Sequence, residues 1–299
     1  MEHKKQGYLY ILIAGILWGS IGLFVNLLKA QGAGPQSIAF LRLGTAALLL
    51  VPVMLTSGGI RMFRIPRRGL LACAALGIFS QALFNISYNV SIQNVGVATA
   101  SVLLYSSPIF VCVMSKIFFR ETIGRVKRIA LLINICGCIL TVTNGDFSAI
   151  SFSVLGASAG ILAGFLYALM TIISKAATED YHPLTVLFYS FIFGAAVIAL
   201  AANPWENLTE VMSLRLILTA FGYGLIPTVG SYIFYLRGLR CGLETSKVPV
   251  IASIETVVAA LIGILIFQEA VGPFKLLGIA CVLASIAIMN REKENKEIF

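Results

Sequence analysis

Three ionisable side chains, Arg42, Lys247 and Glu255, lie inside long apolar stretches of this sequence. A charge at the centre of a bilayer costs about 2.5–3.5 kcal/mol even on the mildest scale, so such residues are candidates for function. Glu255 lies deepest, and it could bind a substrate amine, carry a coupling proton or tie helices together through hydrogen bonds. Arg42 could anchor a substrate carboxylate, pair with a carboxylate such as Glu255 or hold neighbouring helices together. Lys247 could bind substrate or reach the membrane surface beside Glu244.

Polar aromatic and amide side chains are a second group that could line a binding site. Buried tyrosine hydroxyls need hydrogen-bond partners, which a polar cavity would supply, although each ring could equally be part of the packed core. The predicted substrate-binding set combines these side chains with the three ionisable ones: Trp18, Arg42, Asn85, Tyr88, Tyr105, Tyr167, Tyr232, Lys247 and Glu255.

Motifs for covalent or metal chemistry are missing from the sequence. It contains no H-E-x-x-H pair, no G-x-S-x-G turn and no P-loop, and its two histidines lie outside the apolar stretches. Nearly all of the six cysteines lie within those stretches, where a free cysteine behaves as a small hydrophobic residue. We therefore predict a protein that is not an enzyme, with no catalytic residues, no metal and no cofactor.

The composition indicates that most of this protein's surface faces lipid. Of the 299 residues, 59% are hydrophobic and only 12% are charged, whereas soluble domains carry about 25% charged residues. This excludes a soluble enzyme, a DNA-binding module and a disordered linker. The formal net charge of +9 does not indicate a nucleic-acid partner, because the positions of the basic residues explain it better.

Ten stretches are long and apolar enough to cross a bilayer as helices, which predicts an all-α integral membrane protein. If the N-terminus is cytoplasmic, 17 Lys and Arg residues lie in cytoplasmic segments and three in outside segments. This bias predicts a multi-pass protein of the plasma or inner membrane with both termini in the cytoplasm. The predicted spans are 7–28, 36–55, 69–88, 97–118, 123–142, 154–174, 184–201, 214–236, 243–267 and 274–289.

The two halves of the chain resemble each other. The sequence A-G-I-L-W-G at 14–19 is similar to A-G-I-L-A-G at 159–164, and similar passages begin at Gly96 and Gly242. Five spans in each half is an odd number, so the halves must insert in opposite senses. Such inverted repeats are typical of secondary transporters, whose sites lie near the membrane midplane. The predicted repeats are 7–143 and 152–290, followed by a charged cytoplasmic tail at 291–299.

These passages resemble the ten-span EamA-type exporters of the drug/metabolite transporter superfamily, which carry two EamA repeats. The most specific matches are residues 100–110, followed by Glu121, and residues 246–260, followed by Glu269. The family usually has Glu-Pro where this chain has Glu255 and Thr256, so the helix irregularity that a proline would cause is not predicted here. The resemblance implies export of amino acids or related metabolites through a central cavity without ATP.

The resulting prediction is a secondary transporter of small organic metabolites, such as amino acids or their derivatives, that works by alternating access around a midplane cavity. A proton is a candidate coupling ion, and the protein would be a monomer or a homodimer in the lipid bilayer. The alternative is a channel or a receptor-like helical bundle without active coupling.

Overall fold

The computed structural model describes residues 2–150 and 152–291, and all regular secondary structure in these residues is helical. The all-α prediction is confirmed. The helices are α1 (Glu2–Gly19), α2 (Ile21–Lys29), α3 (Pro35–Gly58), α4 (Arg67–Ala75), α5 (Phe84–Leu104), α6 (Ser107–Phe118), α7 (Arg125–Thr143), α8 (Val154–Asp180), α9 (Pro183–Ala202), α10 (Trp205–Val211), α11 (Leu214–Gly224), α12 (Ser231–Arg240), α13 (Val248–Ala252), α14 (Ile254–Leu265) and α15 (Pro273–Arg291).

These helices form ten membrane spans. Among the described residues, nine helical segments are long and apolar enough to cross a membrane, and Ser107–Phe118 is a shorter apolar helix. The longest segment, Arg67–Leu104, contains Gly96 with a φ of 77°, where the chain turns. This segment therefore holds the third span and the beginning of the fourth, which α6 completes. The predicted tail at 291–299 lies outside the described residues except for Arg291.

The same backbone irregularities occur at equivalent places in the two halves. Gly96 and Gly242 begin the fourth and ninth spans with φ values of 77° and 73°, and Arg120 and Gln268 end these spans, both with a φ of 53°. Short π-helices, Leu76–Leu83 and Leu225–Gly230, interrupt the third and eighth spans. Since both spans of each pair share these features, the two inverted five-helix repeats are confirmed.

The repeats are interleaved rather than side by side. The first span packs against the eighth and the third against the sixth, while the second packs against the seventh and the fifth against the tenth. The Tyr8 hydroxyl in α1 donates to the carbonyl of Ile286 in α15 at 3.0 Å, so the start of α1 and the end of α15 lie on one side of the bundle. We call this the terminus side and the opposite one the far side.

The fourth and ninth spans are both broken near their middle. The fourth breaks at Tyr105 and Ser106 between α5 and α6, and the ninth breaks at Ser253 between α13 and α14. The ninth span is broken although position 256 holds threonine rather than proline. The sequence did not predict this break. At the break, the Ser253 hydroxyl donates to the Val250 carbonyl three residues earlier, at 2.6 Å.

Candidate substrate-binding site

Glu255 lies in the first turn of α14, directly after the break in the ninth span. A carboxylate is favoured there because unpaired backbone N–H groups point toward it from the start of a helix. The break is held from the fifth and tenth spans: the Asn134 amide donates to the Ser253 hydroxyl at 2.6 Å and to the Ser285 hydroxyl at 2.9 Å. The position of Glu255 is therefore set by a polar contact among three spans.

The Glu255 carboxylate lies among aromatic hydroxyl groups. The residue is partly accessible, and no hydrogen bond or ion pair joins its carboxylate to another residue in the described part of the chain. Five tyrosine hydroxyls are near enough to interact with it electrostatically: Tyr88, Tyr105, Tyr167, Tyr232 and Tyr235.

Arg42 in α3 lies near two of the same tyrosines. It interacts electrostatically with the hydroxyls of Tyr167 and Tyr232, as Glu255 does. The residue is only 8% exposed, and its Nη2 donates to Gln81 Oε1 at 3.3 Å. Its Nε has no hydrogen-bond partner, and it forms no ion pair with any carboxylate in residues 2–150 and 152–291. A buried guanidinium with a free Nε donor and a partly accessible carboxyl group therefore interact with the same tyrosine hydroxyls, without an ion pair between them.

A cleft of about 190 Å³ lies on the far side. It lies between the second, third and seventh spans, and Asn85, Asn89 and Gln93 supply polar groups to its wall. The Asn85 amide donates to the Gln81 carbonyl at 2.5 Å, which places the inner end of the cleft next to the residue that contacts Arg42. α5 extends well beyond the predicted span end at residue 88 because these polar side chains face the cleft rather than lipid.

The structure brings most of the predicted site residues together. Trp18 packs edge-on against Tyr232, with ring centroids 5.5 Å apart. The Tyr88 hydroxyl is 2.9 Å from the Ser101 hydroxyl, and the Tyr105 hydroxyl is 3.4 Å from that of Thr256. Each of these contacts joins a different pair of spans around Glu255. Their roles in substrate binding stay predictions.

Lys247 lies elsewhere, on the terminus side. Its ammonium group is 3.0 Å from Glu244, which also pairs with Lys127 at 2.8 Å. This ion pair is the alternative that the sequence left open for Lys247, and its role in substrate binding likewise stays a prediction.

Two residues of the site were missed by the sequence reasoning. Gln81 lies in the π-helix of the third span, where its amide joins Arg42 to the hydroxyl of Tyr232, accepting at 3.3 Å and donating at 2.8 Å. Tyr223 in α11 is buried and forms a side-chain hydrogen bond with Arg42. The available signal for Gln81 was an amide side chain in the middle of an apolar run. The π-helix that contains it supports a role in the site, because π-helical segments are frequent at functional sites.

Two inverted repeats with broken helices around a polar, charged midplane space define the class of secondary-transporter folds. The sequence matches the EamA-like transporter family twice, over residues 5–143 and 154–291. The chain therefore belongs to the EamA-like transporter family, and its resemblance to the two-repeat drug/metabolite transporters is confirmed. It is a multi-pass membrane protein of a family of transporters.

Similar proteins cover almost the whole chain. An uncharacterized transporter of Archaeoglobus fulgidus is 28% identical, covering 96% of this chain and 97% of that protein. The uncharacterized inner membrane transporter YicL of Salmonella typhimurium is 25% identical, covering 99% of each. The pseudopaline exporter CntI of Pseudomonas aeruginosa is 26% identical over 77% of this chain and 75% of its own. One solved crystal structure superposes with a TM-score of 0.80 at 16% identity, covering 95% of this chain and 96% of the other, which supports the fold.

Proposed function

We propose that this protein is a secondary transporter that exports small zwitterionic metabolites, such as amino acids or their derivatives. The observation that carries the proposal is the pair of membrane-embedded groups of opposite charge type, buried Arg42 and partly accessible Glu255, which interact with the same tyrosine hydroxyls without an ion pair between them. A ligand that carries both a carboxylate and an ammonium group could pair with Arg42 and Glu255 at the same time.

The energetics favour this ligand over a purely structural role. A buried charge without a partner is costly, and charge-assisted hydrogen bonds recover that cost only when the geometry is good. The Arg42 guanidinium contacts Gln81 and Tyr223, and its free Nε leaves it able to bind a carboxylate. The carboxylate of Glu255, with its ring of tyrosine hydroxyls, can receive an ammonium group. One molecule bridging the two would reduce both desolvation costs.

Alternating access would move such a ligand across the membrane. The positive-inside bias supports a cytoplasmic location for the terminus side, and the cleft between the second, third and seventh spans would then face outward. Proton coupling would follow if Glu255 holds either a proton or the substrate ammonium, because release of one then requires binding of the other. The coupling ion, the direction of transport and the choice between monomer and homodimer stay predictions.

The test is ligand binding and counterflow in proteoliposomes with two charge-neutralising variants. Losing one charge-assisted hydrogen bond costs about 1.5–3 kcal/mol, so affinity should fall about 10- to 100-fold. Arg42→Gln should discriminate less between an amino acid and its carboxamide, and Glu255→Gln less between an amino acid and its N-acetyl form. Arg215→Gln and Glu210→Gln, which neutralise exposed residues, are the matched controls.

Two outcomes would contradict the proposal. Wild-type affinity and selectivity in both Arg42→Gln and Glu255→Gln would remove the charge pair from the binding site. Linear, unsaturable flux without counterflow would favour the channel reading instead.

A further inference from the structure

Glu121 joins the two repeats on the terminus side. It follows the fourth span, and its carboxylate accepts hydrogen bonds from the backbone N–H groups of Thr245 and Ser246 at 2.6 and 2.9 Å and from the Ser246 hydroxyl at 2.8 Å. Lys175 of the sixth span donates to the same carboxylate at 3.3 Å. The Glu121 side chain is 8% exposed. One carboxylate therefore ties the end of the fourth span to the first residues of the ninth.

The hydrogen-bond donors around Glu121 favour the ionised form of its carboxylate. Burial alone raises the pKa of Glu121, but the hydrogen bonds from Ser246 and Thr245 outweigh it and lower the pKa below its ordinary value. Lys175 also donates to the Thr245 hydroxyl at 2.6 Å and lies over the Phe119 ring, 4.4 Å from its centroid. Glu121, Lys175, Thr245 and Ser246 thus form a connected, mostly buried hydrogen-bond network on the terminus side.

The symmetry-related carboxylate, Glu269, makes a different contact. Both carboxylates follow a residue with a φ of 53°, so their backbones are equivalent. Counted from Gly96 and Gly242, the counterparts of Thr245 and Ser246 are Thr99 and Ala100. Glu269 instead pairs with Lys275 at 2.9 Å, and its side chain is 52% exposed. The contacts of Glu121 and Glu269 therefore differ, although the backbones that carry them are equivalent.

The interior shows the same asymmetry. On the far side, Ala39 and Asn89 line the open cleft. Counted from Pro35 and Pro183, which begin equivalent helices, Ala39 corresponds to Leu187, and counted from the two turn glycines, Asn89 corresponds to Tyr235. Leu187 is 0% exposed and Tyr235 1% exposed. On the terminus side, Leu187 and Tyr235 are therefore packed in the core, whereas their far-side counterparts line a cleft.

We propose that Glu121 is the gate residue that keeps the terminus side closed by binding the first amides of the ninth span, and that Glu269 makes the equivalent contact with Thr99 and Ala100 when the far side closes. The inference rests on the alternating access of the proposed function and assigns each half-cycle to one carboxylate. Exchange of the two contacts would let a small local change reverse the accessibility of the cavity.

Hydrogen exchange of the protein in lipid nanodiscs tests the gate without any substrate. Glu121→Gln should speed exchange of the backbone amides in residues 243–252 by about tenfold, because it replaces charge-assisted hydrogen bonds with weaker neutral ones. It should also slow exchange in residues 85–104, since the population shifts toward the far-side-closed state. Glu210→Gln, on an exposed surface, is the matched control.

A second variant covers the case in which Glu121→Gln does not fold. Ser246→Ala removes one donor to the carboxylate but keeps both amides, so it should shift exchange in the same directions by about two- to fivefold. An equal rise in both regions, or no change in 243–252, would overturn the gate. Because the readout needs no ligand, a failed gate is distinguishable from a failed substrate proposal, in which Arg42 and Glu255 variants bind normally.

Discussion

Gly15 in the first span is the position where adding one methyl group should most directly disturb the binding site. A Cβ built on Gly15 would lie 2.6 Å from the Ala252 carbonyl oxygen and 2.5 Å from Ile254 Cγ2. Both contacts flank the break in the ninth span that sets the position of Glu255. Gly22, on the same span, has no atom within 4 Å of an added Cβ. Gly15→Ala and Gly22→Ala therefore form a matched pair.

The size of the effect follows from these distances. Since ordinary contact begins near 3.4 Å, a Cβ 2.6 Å from the Ala252 oxygen requires a shift of about 0.8 Å between the first and ninth spans. Overpacking of this kind costs about 1–3 kcal/mol, whereas replacing a helical glycine with alanine gains up to about 1 kcal/mol. The gain is common to both variants, so Gly15→Ala should be less stable than Gly22→Ala by about 1–3 kcal/mol.

Thermal unfolding of the purified variants, together with counterflow in proteoliposomes, measures this difference. At about 2–4 °C per kcal/mol, Gly15→Ala should unfold several degrees below Gly22→Ala. Its transport should also fall more, because the shift moves Glu255 within the cavity. Equal unfolding temperatures and equal transport for the two variants would refute the close approach of the first span to the ninth-span break.

Three further substitutions test the polar and conformational supports of the spans. Asn134→Ala removes the hydrogen bonds to Ser253 and Ser285 and should cost about 1–3 kcal/mol; an unchanged unfolding temperature would contradict this. Gly242→Ala and Gly96→Ala place a Cβ in open space at positive φ, so each should cost only the backbone term of about 1–2 kcal/mol. Clearly unequal losses in thermal unfolding would show that the two turns are not equivalent.

The spans and the inverted repeat could be predicted because lipid imposes strong, simple constraints on sequence. About 20 apolar residues are needed per crossing, and an odd number of crossings per repeat determines opposite insertion. The glycines at 15, 19, 160 and 164 were visible as small residues at close spacing, which predicts close helix packing. In the structure, Gly15 faces the ninth-span break, and an added Cβ on Gly164 would lie 2.4 Å from the Ser106 hydroxyl at the fourth-span break.

The irregular parts of the site could not be read from periodicity. A π-helical segment changes which side chains face the cavity, so a regular helical period does not place Gln81 beside Arg42. The ninth-span break arises where the Ser253 hydroxyl competes for a backbone carbonyl and receives a hydrogen bond from Asn134, a residue 119 positions away. Long-range contacts of this kind leave no local signal, unlike the proline that the family usually places at the position of Thr256.

The charges of the binding site break the symmetry that the backbone keeps. Counted from Pro35 and Pro183, the position equivalent to Arg42 is Ser190, and counted back from the two gate carboxylates, the position equivalent to Glu255 is Ser107. Both serines are buried and uncharged. A fully symmetric cavity would present two equivalent sites to a zwitterion and bind it in two opposite orientations. In the proposed mechanism, one cation and one anion would hold one ligand in one orientation, while the broken spans and their terminal carboxylates, which are symmetric, would supply two alternative closures. Asymmetry in the site and symmetry in the gates would then be separate requirements of a carrier, met by different residues of this chain.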